Sequence, residues 1–318
     1  DWSSDVCSSD LGAFAQGFHL RRQNRRDGRA LMLAGSVVAA HGRQYLVELT
    51  DGERLLCFPR GKKSEIACGD RVCVTRTGVR QGVIDKVEER LTLLYRSNEF
   101  KQKLIAANVT QIIVVVATEP SFSDELVTRC IAAAESQDMK ALIVLNKSDL
   151  KERLPVANAA LLPYKRLGYR VLELSAQTDA EALRPHLQGE TSVFVGQSGM
   201  GKSTLTNALV PNANAPTREI SAALDSGKHT TTHATLYRLD ADSVLIDSPG
   251  LQEFGLRHLS PETIEYAFPE LRPLLGKCRF RNCRHEREPD CALRNALSAE
   301  LIDARRFAVF RAMRAEAA

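Results

Sequence analysis

From about Gly35 to Leu94, apolar and polar positions alternate in short runs: SVVAAHG, QYLVELTDGERLLCF, DRVCVTRTG and QGVIDKVEER. Alternation with period two is the pattern of half-buried strands. Asp51-Gly52, Gly61, Gly69-Asp70 and Gly78 supply turn positions between the runs, so roughly five strands are expected, enough for a small barrel of OB type. From Val109 the texture changes. VTQIIVVVAT, KALIVLN, YRVLELS and SVFVG are continuous apolar runs separated by helical stretches such as LVTRCIAAAESQ, the β-α-β alternation of a mostly parallel sheet covered by helices. ATLYRL and SVLIDSP read as two further strands, and a helical pattern resumes from about Ala292. The expected division is a leader and basic arm, predicted to be disordered, over 1–34; a barrel over 35–97; an α/β domain over 98–275; and a C-terminal domain with a helix over 276–318.

The 318 residues are 44% hydrophobic and 26% charged, which excludes a disordered, collagen-like or coiled-coil chain and suits two or three domains. No run approaches the roughly 18 apolar residues of a membrane helix, so a soluble protein without membrane contact is expected. The first ten residues, DWSSDVCSSD, are polar and repetitive and lack the order of a secretion signal; they read as a leader outside the fold. Five of the eight cysteines are scattered and make no disulfide framework, and the three that crowd between 278 and 291 suggest a metal in a reducing cytoplasm. No long amphipathic seam argues for a dimer, and a monomer is expected.

The net charge of +4 is unevenly spread, with an acidic middle between basic ends. Arg21, Arg22, Arg25, Arg26 and Arg29 crowd one end, and Arg60, Lys62, Lys63, Arg76 and Arg80 fall in connections of the expected barrel. Basic clusters of this kind favour phosphate backbones, and RNA is the expected partner.

Gly196-Gln197-Ser198-Gly199-Met200-Gly201-Lys202-Ser203, followed by Thr204, fits G-x-x-x-x-G-K-[ST] between an apolar strand, Ser192 to Val195, and a helical run, Ser203 to Leu209. That context makes it a phosphate loop: glycines let backbone N–H groups face phosphate, Lys202 neutralises β/γ oxygens, and Ser203 reaches Mg²⁺. Asp247-Ser-Pro-Gly250 follows the strand Val244 to Ile246, placing a carboxylate near the Mg²⁺ shell and a backbone amide near the γ-phosphate. Asn146-Lys147-Ser148-Asp149 ends the strand Ala141 to Leu145. An aspartate there accepts both the ring N–H and the exocyclic amine of guanine, which selects GTP over ATP, while Asn146 and Lys147 brace the loop. Ser175-Ala176 is the matching backbone contact to the guanine carbonyl. Ordinary GTPases run from phosphate loop to base motifs; here the base motifs come first, so the domain reads as a circularly permuted P-loop GTPase whose motifs still meet at the carboxyl ends of one sheet. Between the phosphate loop and Asp247 lies Gly227-Lys-His229-Thr230-Thr231-Thr232-His233. A switch threonine for Mg²⁺ and γ-phosphate is required there, with Thr231 as the central choice. Leu251 stands where a Ras-like enzyme carries its water-positioning glutamine, so intrinsic hydrolysis is expected to be slow, with His229 as the candidate to orient water.

Cys278, Cys283, His285 and Cys291 place three thiols and one imidazole within fourteen residues. Four protein ligands close a tetrahedral Zn²⁺ site and imply a structural metal. Arg281, Arg284 and Arg287 make the intervening stretch too polar for an apolar core of its own and are expected to face RNA.

A barrel, a permuted GTPase and a Cys3His site in this order resemble the ribosome small-subunit-dependent GTPase A family, RsgA. The strings that carry the resemblance are IAANVTQIIVV, VLNKSDL, GQSGMGKST, HTTTH, IDSPGLQEFGL and the cysteine-histidine cluster. The resemblance implies GTP hydrolysis to GDP and phosphate that is slow alone and stimulated by the small ribosomal subunit, assisting late maturation of that subunit through rRNA binding. It also implies that the histidine matching His229 takes part in the stimulation. Mechanistically, GTP·Mg²⁺ is expected to order the threonine loop into a conformation that docks on ribosomal RNA, and because permutation places the γ-phosphate-sensing segments directly upstream of the zinc domain, that ordering is expected to reorient an RNA-binding module. The rival reading is a GTP-dependent RNA-binding switch in translation whose hydrolysis is incidental.

Overall fold

The computed structural model describes residues 32–61, 65–97, 102–211, 213, 234–248 and 256–317. His229, Thr231 and Gly250, and the basic cluster from Arg21 to Arg29, lie outside the described residues, as do Lys62 and Lys63.

The alternating runs form β1 (Met32–His41), β2 (Gln44–Leu49), β3 (Arg54–Pro59), β4 (Arg71–Arg76) and β5 (Gln81–Val87). Their order is β1-β2-β3-β5-β4, with β4 returning to β1, so the expected OB-type barrel is closed and has no free edge. Val37, Val47, Leu55, Val72, Val74 and Ile84 fill it. β1 starts three residues before the expected barrel boundary: Leu33 and Ala34 pair with Val74 and Cys73, and Leu33 packs against the barrel core. Two of the basic side chains in the barrel connections are paired with carboxylates, Arg60 with Asp85 and Arg76 with Glu53.

A hairpin that the apolar pattern did not announce, β6 (Leu93–Ser97) and β7 (Gln102–Ala107), follows the barrel. Asp70, fully buried in the barrel, takes a bidentate pair of hydrogen bonds from Arg90, at 2.7 and 2.8 Å, and one from the Ala67 N–H.

The α/β part contains β8 (Gln111–Ala117), α1 (Asp124–Glu135), β9 (Lys140–Asn146), α2 (Leu154–Arg166), β10 (Arg170–Glu173), β11 (Thr191–Val195), α3 (Lys202–Leu209), β12 (Thr235–Arg238) and β13 (Val244–Asp247). The sheet order is β10-β9-β8-β11-β13-β12, parallel except for β12. The central runs are apolar at every position because both faces are covered. Ile112, Val114 and Val116 face a core shared with α1 and α2, whereas Ile113 and Val115 face one shared with α3. Antiparallel β12 also pairs with β1 at Ala39 and Thr235, so barrel and α/β sheet form one eleven-stranded sheet.

The C-terminal part holds α4 (Pro261–Tyr266), α5 (Ala292–Ser298) and α6 (Ala304–Glu316). Polar though the loop between the cysteines is, its flanks are not: Leu293, Phe307 and Phe310 join the same core as Val127 and Ile131 of α1. Arg129 of α1 bonds Glu316 of α6 at 2.9 and 2.5 Å. The cysteine-histidine segment, expected to reorient, is therefore flanked by elements packed directly on α1. No described helix is long and apolar enough to cross a membrane.

Candidate functional site

β8 lies between β9, reached through α1, and β11, reached after β10. The chain reverses its direction of growth there, and the carboxyl ends of β8 and β11 open a crevice of the kind in which α/β sheets bind ligands.

The loop Gly196–Gly201 leaves β11 at this crevice and enters α3. Two of its glycines are sterically obligatory. A Cβ on Gly196, at φ 151°, would stand 2.2 Å from the Val115 carbonyl oxygen, and one on Gly201, at φ 93°, would stand 2.1 Å from Asn146 Nδ2. The loop therefore wraps tightly over β8 and over Asn146 because no side chain intervenes. Lys202 Nζ donates to the carbonyls of Gly196 and Gln197 at 2.6 and 2.8 Å, which arches the side chain across its own loop. Gln197 Oε1 accepts from the Ser123 N–H at 2.8 Å, bracing the loop against the first turn of α1. Ser203 and Thr204 are half-buried at the start of α3.

Asp247 ends β13 and is 4% exposed. Burial raises its carboxyl above the ordinary aspartate range, and the Lys202 charge and the Thr206 hydroxyl work against that rise. Burial likewise lowers the Lys202 ammonium, against the opposing pull of Asp247. A buried carboxylate and a half-buried ammonium thus face one crevice, the arrangement found where charged ligands are handled.

Asn146 ends β9 and joins the separate motifs. Its Nδ2 donates to the Met200 carbonyl at 2.8 Å, and its Oδ1 accepts from the N–H groups of Lys147 and Ala176, each at 2.8 Å. Lys147 adopts φ 58° and sends Nζ to the Glu119 carbonyl at 2.7 Å, while Thr118 bonds the Lys147 carbonyl. Ser148 N–H is accepted by the Leu174 carbonyl, which sets the Asn146–Asp149 loop beside Ser175 and Ala176. Asp149 is exposed at the tip; its backbone carbonyl accepts from the Lys151 N–H, and its carboxylate has no partner among the described residues.

In the C-terminal cluster, the ligand atoms of Cys278, Cys283, His285 and Cys291 all lie within 4.8 Å of one another. His285 Nδ1 is 3.6 Å from Cys278 Sγ and 3.4 Å from Cys291 Sγ, and those two sulfurs are 3.8 Å apart. A tetrahedral ion with Zn–S bonds of about 2.3 Å needs sulfurs about 3.8 Å apart, so the donor set is compatible with zinc. Two carboxylates that spacing rules did not single out complete this cluster. Glu265 of α4 stands 3.3 Å from His285 Nε2 and accepts from Arg314 of α6 at 2.8 Å, fixing which ring nitrogen faces the thiols. Glu288 accepts from the N–H groups of Arg284, Glu286 and Arg287, and these backbone bonds hold its carboxyl down at about 2. Arg281, Arg284 and Arg287 are exposed on this loop.

A parallel sheet with its phosphate loop after β11 and its base-recognition motifs earlier in the chain defines the circularly permuted P-loop GTPase class. Residues 87–257 match the family model for RsgA GTPase. The chain is 56% identical over 281 residues to the small ribosomal subunit biogenesis GTPase RsgA of Burkholderia pseudomallei (strain K96243), covering 87% of this chain and 90% of that protein. It is 53% identical over 278 residues to the protein of the same name from Nitrosospira multiformis, covering 87% and 89%. Among solved structures, YjeQ from Thermotoga maritima superposes with a TM-score of 0.69 at 30% identity, over 90% of this chain and 99% of that one. YloQ, described as a circularly permuted GTPase, gives 0.65 at 23% identity over 92% and 97%. The chain belongs to the RsgA GTPase family.

Proposed function

We propose that this chain hydrolyses GTP to GDP and phosphate, slowly by itself and faster on the small ribosomal subunit, whose late maturation it assists by binding rRNA. The observation that carries the reading is Asn146, which ties the phosphate loop at Met200 to the base side at Ala176 through one buried side chain. One nucleotide spanning both arms explains why a single amide should serve both.

In this reading Gly196, Gln197, Ser198, Gly199, Met200 and Gly201 wrap the phosphates, and Lys202 leaves the carbonyls of Gly196 and Gln197 to meet the β/γ oxygens. Asp149 reads guanine beside Ser175 and Ala176, with Lys147 and Ser148 shaping the loop. Ser203, Asp247 and Thr231 would hold Mg²⁺, which supplies charge neutralisation at the phosphates when bound. Water attacks the γ-phosphorus, the bond to the β-γ bridging oxygen breaks, and His229 orients that water. Cys278, Cys283, His285 and Cys291 would hold one structural Zn²⁺, and with it bound the loop bearing Arg281, Arg284 and Arg287 would be fixed toward RNA. The protein works as a monomer in the cytoplasm.

The test is GTP and ATP turnover by the purified chain with and without small ribosomal subunits, alongside Asp149→Asn. GTP-selective turnover that rises sharply with subunits, and a shift of the variant toward xanthosine triphosphate, are expected. Turnover indifferent to subunits would overturn the partner, and unchanged base preference in the variant would overturn the guanine site.

A further inference from the structure

Thr206 lies one helical turn beyond Lys202 on α3 and has no solvent exposure. Met200, Leu205 and Leu209 around it pack into the apolar core on this face of the sheet. An aliphatic side chain at this place would suit both the helix and the core, because threonine loses χ1 freedom in a helix and a buried hydroxyl costs free energy unless bonded. The hydroxyl has one hydrogen to share between two acceptors. Its oxygen is 3.0 Å from the Lys202 carbonyl and 3.3 Å from Asp247 Oδ2. The first is the ordinary back-bond of a helical threonine; the second crosses from α3 to the end of β13. Among the described residues it is the one hydrogen bond that the Asp247 carboxylate accepts.

That second bond matters because χ2 of aspartate is a broad, soft torsion. A buried carboxylate with no donor on either oxygen has nothing to fix its rotation, whereas one held by Oδ2 presents Oδ1 in a single orientation.

We propose that Thr206 is a positioning residue for the nucleotide's magnesium, holding Asp247 by Oδ2 so that Oδ1 is the oxygen offered to the metal and its water shell. This rests on the reading of Asp247 and Ser203 as groups that hold Mg²⁺. Thr206 touches neither nucleotide nor metal in this scheme and acts only through Asp247.

The experiment uses the full chain and follows release of a fluorescently labelled GDP as Mg²⁺ is titrated, for wild type, Thr206→Val and Thr206→Ser. Wild-type release should slow as Mg²⁺ rises. In the valine variant, which keeps the shape and loses the hydroxyl, the Mg²⁺ concentration for half of that effect should rise about tenfold, equivalent to about 1.4 kcal/mol. The serine variant should stay within about twofold of wild type, and all three should bind GDP alike in excess chelator. An unshifted Mg²⁺ dependence in the valine variant overturns the proposal and leaves the Asp247 reading standing. A shift as large in the serine variant as in the valine variant also overturns it, since packing and not the hydroxyl would then be responsible. Wild-type release indifferent to Mg²⁺, matched by Asp247→Asn, would instead overturn the magnesium site itself. If the valine variant does not fold, Thr206→Ala replaces it under the same criteria.

Discussion

Removing the Asn146 side chain should damage stability and nucleotide binding together. The residue is 1% exposed and makes three hydrogen bonds, two of them to groups that are themselves buried, the Met200 carbonyl and the Ala176 N–H. In Asn146→Ala each orphaned buried group costs about 1–3 kcal/mol. Water entering the vacated space re-satisfies part of the loss, so the net penalty is about 2–4 kcal/mol. For a chain of 318 residues that lowers Tm by about 3–6 °C. Asn146→Asp is the sharper probe. It keeps an acceptor for Lys147 and Ala176 but replaces the donor to Met200 with a second oxygen, so the base side keeps its bonds while the phosphate loop meets a repelling charge. Thermal melting with and without GDP reads both effects: the alanine variant should lose stability in the free state and most of the stabilisation by ligand, and the aspartate variant should be at least as impaired in binding. An alanine variant that melts within about 1 °C of wild type and gains the same stabilisation from GDP would refute the role of Asn146 as the tie between the two arms.

Two further changes test the flanking parts. Glu265→Gln should accelerate zinc transfer to a chromogenic chelator, with affinity falling about 10- to 100-fold, because Glu265 orients His285 from 3.3 Å; release at the wild-type rate would mean that the imidazole is fixed by its packing against Phe310. At the seam between barrel and sheet, Glu48 accepts from both Arg238 and Arg54. Burial opposes ionisation there, but the two arginines prevail and hold the carboxyl below its ordinary value. A carboxyl depressed in the folded state adds stability above the unfolded pKa of about 4.3, and that stability is lost as pH falls through the folded value. Glu48→Gln should therefore cost about 1–2 kcal/mol at pH 7, and denaturation curves of variant and wild type should converge as pH falls through the lowered value of the folded state. A gap that stays constant with pH would show that ionisation of Glu48 contributes nothing.

What was legible in the sequence has a common character. The phosphate loop and the Asn146–Asp149 motif are short contiguous strings at strand ends, so residue type and spacing alone carry the geometry. The barrel was legible because one face of each strand is buried, as in β3, where Leu55 and Cys57 are buried and Arg54, Leu56 and Phe58 between and beside them are more exposed. Glu265 was not, since it meets His285 only after α4 folds back onto the cluster. Nor was the pairing of β1 with β12, which depends on a ten-residue strand whose register shifts between Val37 and Ala39, letting it serve β2, β4 and β12. The polar loop of the C-terminal cluster was read correctly as unable to form its own core, but the phenylalanines that dock it on α1 lie beyond it, on α6, where their partners are distant in sequence.

Circular permutation leaves the crevice intact, because a site at the carboxyl ends of strands depends on where the strands lie and not on their order in the chain. What permutation changes is which elements sit next to the crevice. Gln197 of the phosphate loop bonds the Ser123 N–H, and the next residue, Asp124, bonds Arg305 of α6 at 2.7 Å. On the same helix Arg314 reaches the Cys283 carbonyl and Glu265, and so the ligand cluster. On the other side, Asp247 ends β13, whose neighbour β12 carries Arg238 to Glu48 of the barrel. Packed side chains with discrete partners move as a unit or exchange partners; they do not deform gradually. The phosphate loop is thus linked to the C-terminal cluster through Gln197, Asp124, Arg305 and Arg314, and β13 to the barrel through β12 and the Arg238–Glu48 pair, so the proposed response to nucleotide has a packed route to each flanking part.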